Sequence, residues 1–527
     1  MTLPHHETVP VRRELRVQEA IRLAAGVLAL TACAIRPSED PQLPREDPHL
    51  EIASAPAEQG APPSWTREEA AARADRRGAE LSDALASQPS AQDADANRSY
   101  VIPALEIVSF GVLLNQFDRR FVDHDVYATN LSSIRRNLRR GWVIDKDPFS
   151  TNQFGHPYTG SIYHGFARSA GLNYWESLGY DFVGSALWEV AGETDPPSLN
   201  DQITTTFAGS FLGEALFRTA DLVLRSGEGR PGPIRSGIAA VIAPAAAVNR
   251  LAFAGRFGAP YASKDSAVFY WIGFGARRKA SLGDTDILTD VKRDRAVAAF
   301  ALDYGLPGKP GSTYTRPFDY YHFEATATSS SHAIPENIMV RGLLYGTDYA
   351  SGSDYRGIWG LYGSYDYFSP EIFKVSSTAL SVGTTGQYLV SKEFALQGSC
   401  MGGVGYTASG TSAGPRNERE YRYGAGPQAL LSLRFIYGDI AMLGLTANDY
   451  LISGGPGSAD ATGSENVLRA QVSLTVRVYG QHALGVQFIE SRRNARLSGV
   501  SNARQSVGAL SVFYEFLSDE TFGVVRR

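Results

Sequence analysis

Apolar and polar residues alternate along most of the chain from about residue 267 to residue 517. The pattern is clearest in VLRAQVSLTVRV, residues 467–478, where the even-numbered positions are apolar and most odd-numbered positions are polar. Successive side chains of a β-strand point to opposite faces, so such a segment has one apolar and one polar face. The same alternation recurs at 321–328, 355–368, 428–438 and 508–516. These segments predict β-strands.

About ten such segments lie beyond residue 319, and two weaker ones, at 267–278 and 295–305, bring the total to about twelve. Strands of about ten residues are long enough to cross an outer membrane. Only helices and closed barrels satisfy every backbone group in hydrocarbon. The sequence therefore predicts a mainly β fold with an α-helical segment, in which residues 267–517 form a transmembrane antiparallel β-barrel of about 12 strands.

The alternative is a soluble β-sandwich or an internal lipid-binding barrel, in which the apolar face would point inward. Charged residues on the polar face favour the membrane barrel; they are Arg434, Arg469, Arg477 and Glu515. Residues 518–527 form a polar tail. Membrane barrels commonly end on an aromatic residue that serves as the assembly signal. Because this tail follows the last strand instead, the assembly signal is expected either inside the barrel or at Phe522.

The first 33 residues have the features of an export signal. Arg12, Arg13 and Arg16, followed by Arg22, precede an apolar run at 23–32 that is too short to cross a bilayer as a helix. The run ends in Leu-Thr-Ala-Cys, which resembles a bacterial lipobox and predicts lipidation of Cys33; ordinary cleavage near the same small residues is the alternative. Residues 34–98 are rich in Pro, Ala and acidic residues and predict a disordered periplasmic tether.

Residues 99–257 predict a helical domain that docks on the barrel or plugs it. In its clearest helix, Glu214, Arg218, Asp221 and Arg225 share one face, and Asn200 or Asp201 is expected to cap the start. His164 and Arg168 are four residues apart on an earlier helix and are therefore neighbours, and Glu189 shares a side of its helix with aromatic residues. The apolar run at 237–248 contains a proline and is too short to span a membrane.

The charge, cysteine content and motifs of the sequence limit the kinds of partner and cofactor that we expect. The 50 basic and 55 acidic residues nearly balance, so no basic field indicates nucleic acid as a partner. With Cys33 lipidated or removed, Cys400 has no partner for an internal disulfide. The sequence contains no GxSxG, HExxH or phosphate-loop motif and no closely spaced metal-ligand pairs, so we expect no cofactor and no metal. Outer-membrane lipids are the expected partners, with a small solute or a lipid as a possible ligand.

Four sequence blocks in the helical domain carry a resemblance. They are HPYTGSIYHGFAR at 156–168, ESLGYDFVGSALWE at 176–189, PSLNDQITTTFAGSFLGEALFR at 197–218 and APAAAVNRL at 243–251. In this order they resemble the bacterial domain-of-unknown-function family 3943, over roughly residues 110–260. The resemblance implies an envelope protein with a helical segment joined to a barrel. It implies no known reaction.

The polar residues of these blocks allow two interpretations. As a catalytic site, His156 or His164 would be a general base that Glu189, Asp201 or Glu214 orients. As a structural or ligand-binding network, the charged and amide groups would satisfy one another in a poorly solvated place. The network interpretation is preferred, and its residues are Arg168, Glu189, Asp201, Glu214, Arg218, Asn249 and Arg250.

Two functions follow from these interpretations. The preferred hypothesis is a non-enzymatic outer-membrane barrel, partly occluded by its own buried helical network, that acts in passage of a small solute or lipid or in envelope organisation. The alternative is a membrane-embedded hydrolase that acts on lipid or cell wall through a histidine and a carboxylate.

Overall fold

The structure is a computed structural model, and it describes most of the chain beyond the predicted tether. The described residues are 98–227, 231–253, 267–280, 295–309, 312–329, 335–370, 372–412, 419–454, 463–497 and 502–526. The predicted signal segment, Cys33 and nearly all of the predicted tether lie outside the described residues.

Helices occupy residues 101–252, before the first strand. They are α1 (Val101–Phe121), α2 (Leu131–Asn137), α3 (His156–Ser169), α4 (Tyr174–Leu187), α5 (Leu199–Ile203), α6 (Gly209–Arg225), α7 (Pro233–Ile242) and α8 (Pro244–Ala252). Three π-helical turns adjoin them: Thr151–Gly155 precedes α3, Trp188–Gly192 follows α4, and Thr204–Ala208 joins α5 to α6. We refer to residues 101–252 as the helical domain.

Local sequence explains where several helices begin and end. Asn173 accepts hydrogen bonds from the first turn of α4, and Glu176 bonds back to the Asn173 backbone, which completes a capping box. The run from α5 to α6 begins at Ser198, whose side chain accepts from the Asp201 amide. The predicted caps Asn200 and Asp201 are therefore wrong by two or three residues. The apolar run at 237–248 divides at Ala243 into α7 and α8, because Pro244 lacks an amide hydrogen.

The rest of the described chain forms twelve strands. They are β1 (Val268–Lys279), β2 (Arg295–Tyr304), β3 (Tyr321–Thr328), β4 (Asn337–Ser351), β5 (Tyr355–Phe368), β6 (Phe373–Leu389), β7 (Phe394–Thr411), β8 (Tyr421–Tyr437), β9 (Ala441–Gly454), β10 (Gly463–Tyr479), β11 (His482–Leu497) and β12 (Ala503–Leu517). Each strand pairs with the next, and β1 pairs antiparallel with β12, from Trp271 opposite Leu517 to Lys279 opposite Ala509. The barrel is closed, which confirms the predicted fold class and strand number.

The two ends of the barrel differ. At the short-turn end, β8 is joined to β9 by residues 438–440 and β10 to β11 by 480–481. Gly438 and Gly480 take positive φ angles of 56° and 51°, which glycine adopts without strain in such tight turns. At the opposite, long-loop end, residues 455–462 join β9 to β10. The chain both enters β1 and leaves β12 at the short-turn end.

The inner and outer faces of the wall follow the predicted alternation. On β10 the even-numbered side chains point outward, and five large ones are exposed: Leu468, Val472, Leu474, Val476 and Val478. The odd-numbered Arg469, Gln471, Ser473 and Thr475 line the lumen. The apolar face therefore points away from the barrel axis, as in a membrane barrel and unlike an internal lipid-binding barrel.

The helical domain lies against the outside of the wall. Its buried side chains form one apolar cluster with outward-facing wall residues that include Tyr304, Tyr321, Tyr365 and Tyr423. Trp175 also stacks on Tyr345, with ring centroids 5.2 Å apart. The expectation that the helices occlude the barrel is therefore wrong, whereas the docking alternative holds. Alternation in a strand separates two faces but does not reveal whether lipid or protein covers the apolar one.

Candidate functional site

The lumen contains charged side chains that bond across the barrel. Arg341 of β4 donates to Asp366 of β5 at 3.2 Å and to Asn448 of β9 at 3.0 Å. The Tyr450 hydroxyl of β9 donates to the same Asp366 at 2.8 Å. Because β4 and β9 are five strands apart, this layer bridges opposite sides of the wall.

Two further polar layers lie above and below this one. Nearer the short-turn end, Asp303 contacts His322 at 2.9 Å and accepts from Arg434 at 2.9 Å. Nearer the long-loop end, Arg493 and Arg422 both donate to Glu465, each at 3.0 Å from a guanidinium Nε. A cavity of about 110 Å³ lies in the lumen, lined by Arg341, Arg434, Arg469, Asp303, His322 and Glu324 among others. Its volume corresponds to a few water molecules.

The tail, residues 518–526, closes the lumen at the short-turn end. Phe522 is fully buried among lumen-facing apolar residues of several strands. Gln387 donates to the Val525 carbonyl at 2.7 Å and accepts from the Val525 amide at 3.0 Å, and Gln397 donates to the Gly523 carbonyl at 2.8 Å. The aromatic residue considered above as an assembly signal therefore packs inside the barrel mouth.

The helical domain contains a buried charge network centred on Glu214 of α6. Glu214 accepts from Arg168 Nε at 2.5 Å and Nη2 at 3.0 Å, and from Arg218 Nε at 2.8 Å. His164 lies between Glu214 at 3.1 Å and Asp181 at 2.7 Å. Arg218 reaches the β2–β3 connection through Asp319 at 3.4 Å. We call these six residues the Glu214 network.

The charges of the Glu214 network balance. Burial alone would raise the pKa of Glu214, but the guanidinium groups of Arg168 and Arg218 outweigh it and hold the pKa well below its usual range. Burial likewise would lower the pKa of His164, yet Asp181 and Glu214 outweigh it and raise the pKa. Both ring nitrogens of His164 face carboxylates, an arrangement that favours the imidazolium form, and the network contains three basic and three acidic side chains. A histidine whose two ring nitrogens are both hydrogen-bonded to carboxylates has no free nitrogen that could accept a proton, so it is poorly suited to act as a general base.

Glycines let α3 and α6 cross closely beside this network. A Cβ atom on Gly160 would lie 1.9 Å from the Thr205 carbonyl oxygen, and one on Gly213 would lie 2.7 Å from the His164 Cβ. The close crossing aligns the polar residues of the two helices. It also brings Thr205 to 3.3 Å from His156 Nδ1.

A second cluster lies about two helical turns from the first along α3, next to the three π-helical turns. His156 Nε2 is 3.7 Å from Asp201 Oδ2. One ligand atom from each of His156, Glu189 and Asp201 lies within 4.8 Å of the others. Asn200 donates to Asp201 at 2.9 Å and to Asp145 at 2.8 Å, so Asp145 borders the same place. We call His156, Glu189 and Asp201 the His156 cluster.

The electrostatics of the His156 cluster contrast with those of the Glu214 network. Among the residues that the structure describes, no lysine or arginine lies within 4 Å of the Glu189 or Asp201 carboxylate. Burial, followed by the neighbouring Glu193, raises the pKa of Glu189 well above its usual range. Burial, followed by Asp145, does the same to the pKa of Asp201. The cluster therefore carries acidic groups that no described cationic side chain neutralises.

The remaining predicted residues are dispersed. Asn249 is buried and donates to the Ser169 hydroxyl at 2.8 Å and to the Phe166 carbonyl at 3.2 Å, so it fixes α8 to α3. Arg250 is exposed. The structure thus divides the predicted network into the Glu214 network, the His156 cluster and a separate contact at Asn249.

Sequence reasoning missed several contributors. Tyr423 on the outer wall accepts from Asn200 and from Gln153, each at 2.9 Å, and so connects the helical domain to β8. Asp145 also went unnoticed. The segment YRYG at 421–424 offered a signal, because two tyrosines on one strand face carry hydroxyl groups that require partners when buried.

Part of the helical domain matches a known protein family. Residues 141–245 match the family described as Domain of unknown function (DUF3943). The match confirms, over a shorter stretch, the resemblance found in the sequence. The matched residues include the whole His156 cluster and every residue of the Glu214 network except Asp319. No curated protein matches the chain.

The solved structures to which the chain is similar include outer-membrane proteins. The outer membrane channel DcaP of Acinetobacter baumannii is 8% identical, with a TM-score of 0.22 over 48% of this chain and 97% of that chain. The NanC porin is 7% identical, with a TM-score of 0.23 over 46% and 98% of the two chains. OmpT of Vibrio cholerae is 7% identical, with a TM-score of 0.20 over 48% and 99%.

Proposed function

We propose that the protein is an outer-membrane barrel that passes small polar solutes when its tail leaves the barrel mouth. The observation that carries this proposal is the polar lumen cavity, which the chain's own tail covers at the short-turn end. The proposal has two parts, a membrane location and a gated lumen, and each has its own test.

The support for a membrane location is the outward face of the wall. Large apolar side chains remain exposed there on strands that the helical domain does not cover, including Leu484 of β11 and Val512 of β12. Contiguous exposed apolar surface of this kind marks a membrane or protein interface. By length and composition alone, α1 is also capable of crossing a membrane, and much of its apolar surface is exposed. In outer-membrane barrels short turns face the periplasm, and we propose that the tail lies on that side.

Replacing Val472 by Arg tests the location. Val472 lies near the middle of β10 and points outward. A lipid-facing arginine near the midplane costs about 2–4 kcal/mol, whereas a surface substitution on a soluble protein stays within about 0.5 kcal/mol. We expect Val472→Arg to lower the yield of folded barrel in isolated outer membranes, measured as the heat-modifiable band on a gel. Val390→Arg, in the exposed turn between β6 and β7, serves as the control and should fold normally. Equal yields from both variants would contradict the location.

The proposed gate depends on the contacts that hold the tail in the barrel mouth. Its contacts with the wall include the apolar plug at Phe522, the bonds from Gln387 and Gln397, and an ion pair between Glu520 and Arg477. All of these contacts are noncovalent, so we expect a charged residue at position 522 to weaken the docking of the tail. The layers deeper in the lumen bond across the wall and stay in place, which limits passage to small polar solutes.

Replacing Phe522 by Asp tests the gate. A carboxylate in the apolar plug would be buried without a cation, so we expect the tail to leave the mouth. The measurement is single-channel conductance in planar bilayers, with rare openings for the unmodified chain and frequent openings for the variant. Arg526→Ala is the control, since Arg526 is exposed and bonds only the Lys392 carbonyl among the contacts described for it. If a folded Phe522→Asp barrel conducts no more than the control, the lumen is not the path.

A further inference from the structure

We propose that His156, Glu189 and Asp201 bind a divalent transition-metal ion of the Zn²⁺ class. An imidazole nitrogen and two carboxylate oxygens are ligands that such ions accept. One ligand atom from each residue lies within 4.8 Å of the others, which one ion between them would bridge after small side-chain shifts. This site is independent of solute passage through the lumen.

Each of the three ligand residues also has a polar contact with its surroundings. Thr205 Oγ1 lies 3.3 Å from His156 Nδ1, which leaves Nε2 facing Asp201. The Ser198 amide donates to Glu189 Oε2 at 2.8 Å. Asn200 Nδ2 donates to Asp201 Oδ1 at 2.9 Å, while Oδ2 faces the histidine. Hydrogen bonds of this kind orient the ligands in metal sites.

Asn152 gives an independent indication that a partner is missing. Its amide nitrogen donates to Asp145 Oδ1 at 2.5 Å, beside the cluster. Its side-chain oxygen is fully buried and has no hydrogen-bond partner among the described residues. A buried acceptor without a donor is costly, and a cation or a water bound to one would satisfy it.

Charge balance favours a cation over an empty, purely structural cluster. The Glu214 network, in the same domain, pairs every carboxylate with an arginine or histidine. The His156 cluster has one histidine for two carboxylates, with Asp145 close by. A divalent ion supplies the positive charge that the described side chains do not.

The backbone also departs from regular helix at each ligand. His156 directly follows the turn Thr151–Gly155, Glu189 lies within Trp188–Gly192, and Asp201 lies one turn before Thr204–Ala208. Single π-helical turns inside helices occur frequently at functional sites because they redirect side chains. Three of them converging on one cluster indicate that its geometry is specified.

The test measures zinc on the full chain, purified in detergent and shown to be folded by its heat-modifiable gel mobility. After EDTA treatment and dialysis, Zn²⁺ is added and bound metal is determined by elemental analysis. We expect about one zinc per chain, as for a mononuclear site. Glu189→Gln and Asp201→Asn keep side-chain size and should weaken binding by more than about tenfold, because loss of an outer hydrogen bond alone costs 10–100-fold. Asp221→Asn, near the C-terminal end of α6, is the matched control and should bind like the unmodified chain.

Three outcomes would overturn the proposal. The first is less than about a tenth of a zinc per folded unmodified chain, a result that does not depend on whether any variant folds. The second is equal binding by the unmodified chain and a folded Glu189→Gln or Asp201→Asn variant, which would place the ion elsewhere. The third is displacement of zinc by an equal concentration of Ca²⁺, which would exclude the transition-metal class.

Discussion

Replacing Glu214 by Ala is expected to unfold the helical domain or prevent its docking. The substitution leaves the guanidinium groups of Arg168 and Arg218 buried without their shared carboxylate. Removing one partner of a buried ion pair typically costs about 3–5 kcal/mol. That loss is a large fraction of the stability of a typical domain. Limited proteolysis of membranes should show rapid cleavage within residues 98–253, while the barrel keeps its heat-modifiable mobility.

The matched control lies on the same helix. Asp221 pairs with Arg225 at 2.9 Å with the same four-residue spacing, but both side chains are partly exposed. Such pairs contribute about 0–1 kcal/mol, so Asp221→Ala should leave the protease pattern nearly unchanged. Glu214→Gln keeps the side-chain volume and some hydrogen bonds, and it should fall between the two. If Glu214→Ala and Asp221→Ala are cleaved at the same rate, the Glu214 network does not stabilise the domain.

Period-two alternation was sufficient to predict the barrel. Even the two weak segments at 267–278 and 295–305 correspond to β1 and β2. The signal is strong because each strand of a membrane barrel faces lipid on one side and polar lumen on the other. Register within the wall follows from the same rule, since a shift by one residue would exchange the faces.

The position of the helical domain could not be predicted in this way. Tyr365 and Tyr367 are apolar-face residues of β5 and would suit lipid equally well, yet helices cover them. Their hydroxyl groups, like those of Tyr421 and Tyr423, are the local indication of protein contact, and the Tyr365 hydroxyl donates to the Gln153 carbonyl at 2.5 Å. Such a contact joins residues far apart in sequence, and no local pattern encodes it.

Sequence spacing predicted the Glu214 network better than the His156 cluster. Glu214 and Arg218 are neighbours on one helix, so their contact follows from helical geometry. The His156 cluster joins residues from three segments that regular helices would orient differently. Its geometry depends on the π-helical turns, and no periodicity in the sequence predicts these turns.

Replacing Gly363 by Leu is expected to detach the helical domain from the wall. Gly363 lies on the outward face of β5, and a Cβ atom there would come within 2.4 Å of the Phe211 ring of α6. Phe211 is buried in the apolar cluster that joins α6 to the wall, so its ring has little space into which to move. Overpacking at such a contact typically costs about 1–3 kcal/mol, and a leucine adds three carbons beyond Cβ. We expect the added side chain to expose Phe211 and Tyr365, which tryptic cleavage within the helical domain would report.

Gly402 provides the control for this substitution. It lies on the outward face of β7, and no atom comes within 4 Å of the position where its Cβ would be. Gly402→Leu has the same effect on strand propensity and adds the same side chain, but in a place where only the surrounding medium meets it. In a membrane it should be tolerated, with the helical domain still protected. If Gly363→Leu is equally well protected, then α6 does not rest on β5, and the helical domain lies elsewhere than against the outer wall.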